Sequence, residues 1–250
     1  ENIRTLYSGL QAKSYSVHCP FLGKSVMVSI NGANLVSQKQ IEKTIKKLIG
    51  ENLVKAITLA VPQIKLDMQR LIDKQLRGSI VIMDLLEGEL RGQLGLDKAK
   101  AQAAIENIIR AVVHTVEVDS KKGKIITGRN NRNVLSITTQ PSSFKNISSI
   151  PQGVVGYYSN RYKKSINIKW LDWLLFEGDK IVVSESHYET NPRIKGRSGL
   201  GKMHKGGFFR IAPYYSGTGK DNFISRVFEE DGFQTAVSNI IQSNIQKHWK

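Results

Sequence analysis

The sequence predicts an α+β fold, and three observations carry that prediction. Apolar residues recur every three to four positions through residues 37–112, alternate in short runs between Val113 and Ile211, and return to helical spacing after Phe223. We expect an N-terminal arm over 1–36, a helical region over 37–112, and an antiparallel sheet with a basic loop and a C-terminal helix over 113–250. The terminal helix should pack on a sheet running from about 113 to 211, making a single α+β domain overall.

The arm reads as one strand, from the alternation Val26, Val28, Ile30, closed by the turn pair Asn31-Gly32. Ser37 is a plausible N-cap for an amphipathic helix carrying Ile41, Ile45, Leu48 and Ile49. Pro62 should break or kink that helix, because proline removes a backbone donor and crowds the preceding turn. A second helix then presents Ile64, Met68, Leu71, Ile72 and Leu76 and ends near Gly78. Leucines and glycines between Ile80 and Leu96 predict a short helix or turn, and Asp97 caps a helix carrying Ala101, Ala104, Ile105, Ile108, Ile109 and Val112.

Beyond it, alternating runs at 113–118, 125–126 and 134–137 predict a meander with basic turns. After a Ser/Asn/Pro/Gly-rich connector, Val154, Val155, Tyr157 and Tyr158 predict a further strand. Trp170 to Phe176 predicts a short helix that buries Trp170, Trp173 and Leu174 and turns at glycine into the strand Lys180–Val183. Residues 190–220 read as a long basic loop or hairpin rejoining the core at Phe208, Phe209 and Ile211. The terminal helix, from Phe223 to Ile245, should break near Asp231-Gly232.

The 250 residues carry a net charge of +16, which is unevenly placed. Residues 120–170 hold ten cations and no acid, and residues 190–220 hold seven cations and no acid; together these windows account for the whole excess. Such segregation favours an anionic partner, either nucleic acid or an acidic protein surface. The lone Cys19 cannot form an internal disulfide, no apolar run approaches the roughly 20 residues that span a bilayer, and the first residues lack a signal-peptide pattern. The expectation is a soluble chain with no membrane partner, made in a reducing compartment.

Signatures of chemistry are sparse. His18 and Cys19 have no second pair at metal-ligand spacing, and Gly23-Lys24-Ser25 lacks the first glycine of a phosphate-binding loop, where His18 stands. Asp84, Glu87 and Glu89, or Asp172, Glu177 and Asp179, could supply paired carboxylates, but helix ends and solvated surfaces explain them more simply. Neither catalytic residues, nor a cofactor, nor a metal are expected.

Two binding features stand out. Tyr157, Tyr158, Arg161, Tyr162, Lys163 and Lys164 interleave aromatics with cations, as stacking on bases and neutralising phosphates requires, so Arg161, Lys163 and Lys164 are candidate DNA-facing residues. The glycine-rich stretch with Arg193, Lys195, Arg197, Lys202 and Lys205 reads as a docking loop that orders when a partner covers it, anchored by Phe208 and Phe209.

The segment Lys169-Trp-Leu-Asp-Trp-Leu-Leu-Phe-Glu-Gly-Asp179 is followed by Gly196-Arg-Ser-Gly199, Arg210-Ile-Ala-Pro-Tyr-Tyr-Ser-Gly-Thr218 and Asn222-Phe-Ile-Ser-Arg226. Over roughly residues 80–250 this order resembles the neck, or head-to-tail connector, proteins of tailed bacteriophages, and more loosely their tail-completion proteins. The residues carrying the resemblance are structural: Trp170, Trp173, Gly178, Pro213, Gly217 and Thr218. The resemblance implies a non-enzymatic virion protein assembled in the host cytoplasm, forming a homo-oligomeric ring, a hexamer or dodecamer, around the DNA channel. Its partners would be portal or adaptor proteins, tail proteins and packaged double-stranded DNA. A tail terminator or sheath/tube adaptor is the neighbouring alternative, and a non-specific nucleic-acid-binding protein the alternative from another class.

Overall fold

The computed structural model describes residues 13–19, 24–30, 38–121, 134–138, 144–159, 163–190 and 196–249. The chain is α+β, with a helical platform and small antiparallel ribbons around it. The strands β1 (Lys13–Cys19) and β2 (Lys24–Ile30) form a hairpin, so the arm contributes two strands where one was expected. The second is legible in retrospect, since Tyr15, Val17 and Cys19 alternate with Ser14, Ser16 and His18.

The helix α1 (Gln38–Gly78) is continuous through Pro62, which corrects the expected break. Pro62 and Thr58, whose carbonyl loses its donor, both lie on the exposed side, where water can satisfy that carbonyl. Ser37 lies outside the described residues. On the inner side Ala60, Ile64, Met68, Ile72 and Leu76, at every fourth position, form one buried ridge. Then come α2 (Ile80–Glu87), α3 (Glu89–Gln93) and α4 (Lys98–Val113), the last capped as expected by Asp97, whose carboxylate accepts from Lys100 N. Arg77 ties α1 to α4 through Glu106 at 2.7 Å while also holding Asp73 at 3.0 Å.

Helix α4 runs to Val113, so the alternation begins later than expected, with β3 (Glu117–Lys121) paired to β4 (Val134–Thr138). The expected strand at 125–126 lies outside the described residues. After the short α5 (Lys145–Ser148) come β5 (Val155–Ser159) and β6 (Lys164–Ile168), which pair with each other. The aromatic segment is the expected short helix, α6 (Trp170–Asp172), continued by a π-helical turn over Trp173–Glu177. The chain continues through β7 (Ile181–Val183), β8 (Ser186–Glu189), β9 (Lys202–Lys205), β10 (Phe209–Arg210), α7 (Phe223–Glu229) and α8 (Asp231–His248).

Two expectations about assembly are corrected. The strands do not form one sheet: among the described residues there are five two-stranded ribbons, β1–β2, β3–β4, β5–β6, β8–β9 and β7–β10. Alternation fixes which face of a strand is buried but leaves open which edge finds a neighbour. The terminal helix α8 packs on α1 instead of on a sheet. Val237, Ile240, Ile241 and Ile245 give it an apolar stripe that matches the α1 ridge, and the buried Asn244 amide donates to Asp67 at 2.9 Å and to the Ile240 carbonyl. That hydrogen bond holds the Asp67 carboxyl below its usual range.

Candidate functional site

The motif residues from 170 to 218 converge into one clasp. Trp170 is fully buried and donates its indole N–H to the Gln152 carbonyl at 3.0 Å, while the Trp173 indole donates to Lys180 O at 3.2 Å. Gly178 turns the chain with φ +65 and donates to Gly217 O at 2.9 Å; Gly217 N donates to Trp173 O at 3.0 Å. A side chain at Gly217 would overlap the Leu174 carbonyl and the Asn222 backbone, so only glycine permits this approach. Thr218 N donates to Asp221 O, and Asn222 with Ser225 forms the capping box of α7. Arg226 completes the clasp by donating to Tyr214 O, Ser216 O and Asp221, which holds the Asp221 carboxyl below its usual range. Pro213 sits exposed at its rim, with its carbonyl accepting from Ser216 Oγ.

The basic hairpin is built differently. Residues 196–205 are folded against the platform, which corrects the expectation of a loop ordered only by a partner. Arg91 donates to Ser198 O at 3.1 Å, and the Tyr188 ring inserts between Gly92 and Gly201, where a side chain on either would collide with its hydroxyl. Burial raises the Tyr188 hydroxyl above its usual range. Arg197, expected to face a partner, is exposed but tied to the chain's own backbone: Nε donates to Gly95 O at 2.6 Å and Nη1 to Gly156 O at 3.4 Å.

Lys202, Lys205 and Arg210 are exposed and have no ion-pair partner among the described residues. The two phenylalanines separate. Phe209, only 6% exposed, pairs with Val183 and joins the core, whereas Phe208 is 55% exposed and anchors nothing, correcting the expectation of a double anchor. The strand period explains this, because adjacent residues point to opposite faces. Arg193 and Lys195 lie outside the described residues.

Two adjoining cavities form a groove past β5: one of about 400 Å3 between the β5–β6 ribbon and the hairpin, and one of about 500 Å3 between residues 151–156 and the start of α4. They meet at Gly95, Val155, Gly156 and Arg197, and Leu94, Val183 and Phe209 supply apolar floor. Lys100, Arg197 and Lys202 line it, and no acidic residue does.

The candidate DNA-facing residues divide as well. Lys163 and Lys164 are exposed at the β5–β6 turn, near Tyr158, which is 54% exposed; Arg161 lies outside the described residues. Tyr157 turns inward, its hydroxyl 3.2 Å from Ser186 Oγ.

Four of the six candidate carboxylates, Asp84, Glu87, Glu89 and Glu177, are engaged within the chain. Asp84 accepts from Leu90 N at 3.1 Å and from the Tyr215 hydroxyl, which burial and this bond push far above its usual range. Glu87 pairs with Lys98, and Glu177 with Lys180. Asp172 is raised above the usual carboxylate range by burial. Among the described residues no group of three or more His, Cys, Asp or Glu side chains is placed to hold a metal ion, and no helix is long and apolar enough to cross a membrane.

No known protein family, curated protein or solved structure matches the chain. Sequence reasoning missed the groove and the residues that shape it, Gly92, Gly156 and Tyr188. Gly92 and Gly201 are the glycines that a close approach requires, since the Tyr188 hydroxyl stands where their side chains would be, but that contact joins distant parts of the chain and left no local sign.

Proposed function

We propose that this chain is a structural protein of a tailed-phage virion, a ring-forming neck subunit that joins head to tail around the DNA channel. The observation that supports this reading most is the clasp. The residues that carry the resemblance, Trp173, Gly178, Gly217 and Thr218, meet there and serve to hold two chain segments and α7 together. Such a rigid frame suits a subunit that must present fixed faces to neighbours.

Exposed Lys202, Lys205 and Arg210, with the solvent-facing Phe208, offer one such face toward acidic portal or adaptor surfaces. A ring subunit needs a second, different face for its own neighbour. Native mass spectrometry and negative-stain images of the purified chain should show rings. A monomer whose DNA affinity falls steeply with salt would overturn the proposal. It would favour instead the non-specific nucleic-acid-binding reading, for which Lys163, Lys164 and the exposed Tyr158 are the supporting residues. A terminator of the tail or an adaptor to its sheath would form rings too, and its place in particle images would distinguish it.

A further inference from the structure

The groove beside β5 has the construction of a strand receptor. All four residues Val155, Gly156, Tyr157 and Tyr158 line it. Consecutive residues of a strand point to opposite faces, so a cavity touching all four lies along the edge of the strand. Only β6 pairs with β5 among the described residues, leaving that second edge without a strand partner.

The register identifies the groups on offer. Arg197 Nη1 donates to Gly156 O from the groove side, so the Gly156 carbonyl points into the groove. In an antiparallel strand the N–H and C=O of one residue point to the same edge and alternate residues share it. Gly156 and Tyr158 therefore present their backbone groups to the groove, while Val155, Tyr157 and Ser159 face their partners Ile168, Ile166 and Lys164 on β6. At Gly156 there is open space where a side chain would stand, with no atom within 4 Å.

We infer that this groove binds an extended acidic segment of a partner protein, which adds as a third strand to the second edge of β5. Three features select that occupant. The β5 edge, which has no strand partner among the described residues and holds only the long Arg197 bond at Gly156 O, takes a peptide backbone, because only a strand supplies donors and acceptors at matching spacing. The apolar floor of Leu94, Val183 and Phe209 takes alternate apolar side chains of the incoming strand. Along β5 the cations Lys202, which has no ion-pair partner among the described residues, and Arg197, with no acid among the lining residues, select acidic side chains on the other positions. Nucleic acid fits less well, since it has no use for the strand edge or the apolar floor. This inference concerns the groove alone and stands or falls independently of ring formation.

The test uses the full chain and three fluorescent probes: an alternating Glu-Val peptide, its Lys-Val counterpart and a short single-stranded oligothymidylate. The Glu-Val peptide should bind, and binding should slow exchange of the Gly156 and Tyr158 amide protons seen by NMR. Gly156→Pro removes one donor that the register turns away from β6, and should weaken binding about tenfold or more. Lys202→Glu should weaken it about fivefold. Circular dichroism and melting checks that each variant is folded, and the amide measurement on the unaltered chain does not depend on them. Absence of Glu-Val binding, or binding without amide protection, overturns the inference. So does equal binding of the Lys-Val peptide, or tighter binding of the oligothymidylate with Gly156→Pro without effect.

Discussion

The helical platform and the ribbon region use the same excess of basic residues in opposite ways. On the platform, cations find acids one turn away or on the adjoining element: Lys47 with Glu51, Arg70 with Asp67, Lys98 with Glu87, Lys100 with Asp97, and Arg77 with both Asp73 and Glu106. In the ribbons, Lys202, Lys205 and Arg210 sit in a window that contains no acid, so their charge stays outward. Packing follows the same division. The platform buries a four-spaced ridge and packs α8 on α1, whereas β5, among the described residues, has no strand on its second edge. The buried core nevertheless joins the two, since Trp170, Leu174, Val183, Phe209 and Ile211 belong to the same cluster as the α1 ridge.

The division can be broken at its strongest point first. Trp170→Ala empties a fully buried site and should cost about 3–5 kcal/mol in urea unfolding. Phe208→Ala, on the ribbon side, should stay within about 0.5 kcal/mol; a large loss there would show that the exposed phenylalanine is part of the core after all. Next is the glycine pair. Gly217→Ala forces a side chain against the Leu174 carbonyl and should cost about 1–3 kcal/mol, while Gly156→Ala, which meets open space, should be nearly neutral. Equal effects would remove the contrast between clasp and ribbon.

Acid should act on the platform before the basic hairpin. Asp67 and Glu106 have carboxyl pKa values lowered in the fold, chiefly by hydrogen bonds from Asn244 and Arg77. A depressed folded pKa contributes stability that is fully present above the unfolded value, near 4, and is lost as pH falls through the lower folded value. The melting temperature should therefore drop as pH is taken from about 5 to about 3, and Glu106→Gln should flatten that slope. An unchanged slope would mean that the Arg77 link contributes little.

Asp172 runs the other way. Burial raises its pKa, so its ionisation at neutral pH opposes folding, and Asp172→Asn should raise the melting temperature by about a degree. The smallest effect on stability belongs to the double charge reversal Lys202→Glu with Lys205→Glu, whose melting should be unchanged. On the proposed neck reading, head-to-tail joining should nevertheless be lost in that variant, and full assembly would remove the hairpin from the proposed docking surface.

Much of the fold was legible in the residues. Asp97 announced its helix, Tyr157 and Tyr158 their strand, and the Trp170–Phe176 run its buried turn, because caps, alternation and helical spacing act over a few residues. The site was legible only in part. The exposed Lys202 and Lys205 followed from a window without acids, but the tie of Arg197 to the backbone did not, because its acceptors at Gly95 and Gly156 are far away along the chain.

Sequence by itself determined the kinds of element, the sign of the charge and its concentration in two windows, since each depends on residue identity and short-range spacing. Tertiary structure alone decided that Pro62 would sit on a solvated side of an unbroken α1, that α8 would cover α1, and that the strands among the described residues would stay in separate two-stranded ribbons. It also decided that β5, which among the described residues has no strand on its second edge, would border a groove lined by cations and no acid. The physical reason is the same in each case: periodicity tells a segment which face to bury, but the neighbour that covers that face is chosen by packing and hydrogen bonds between distant parts of the chain.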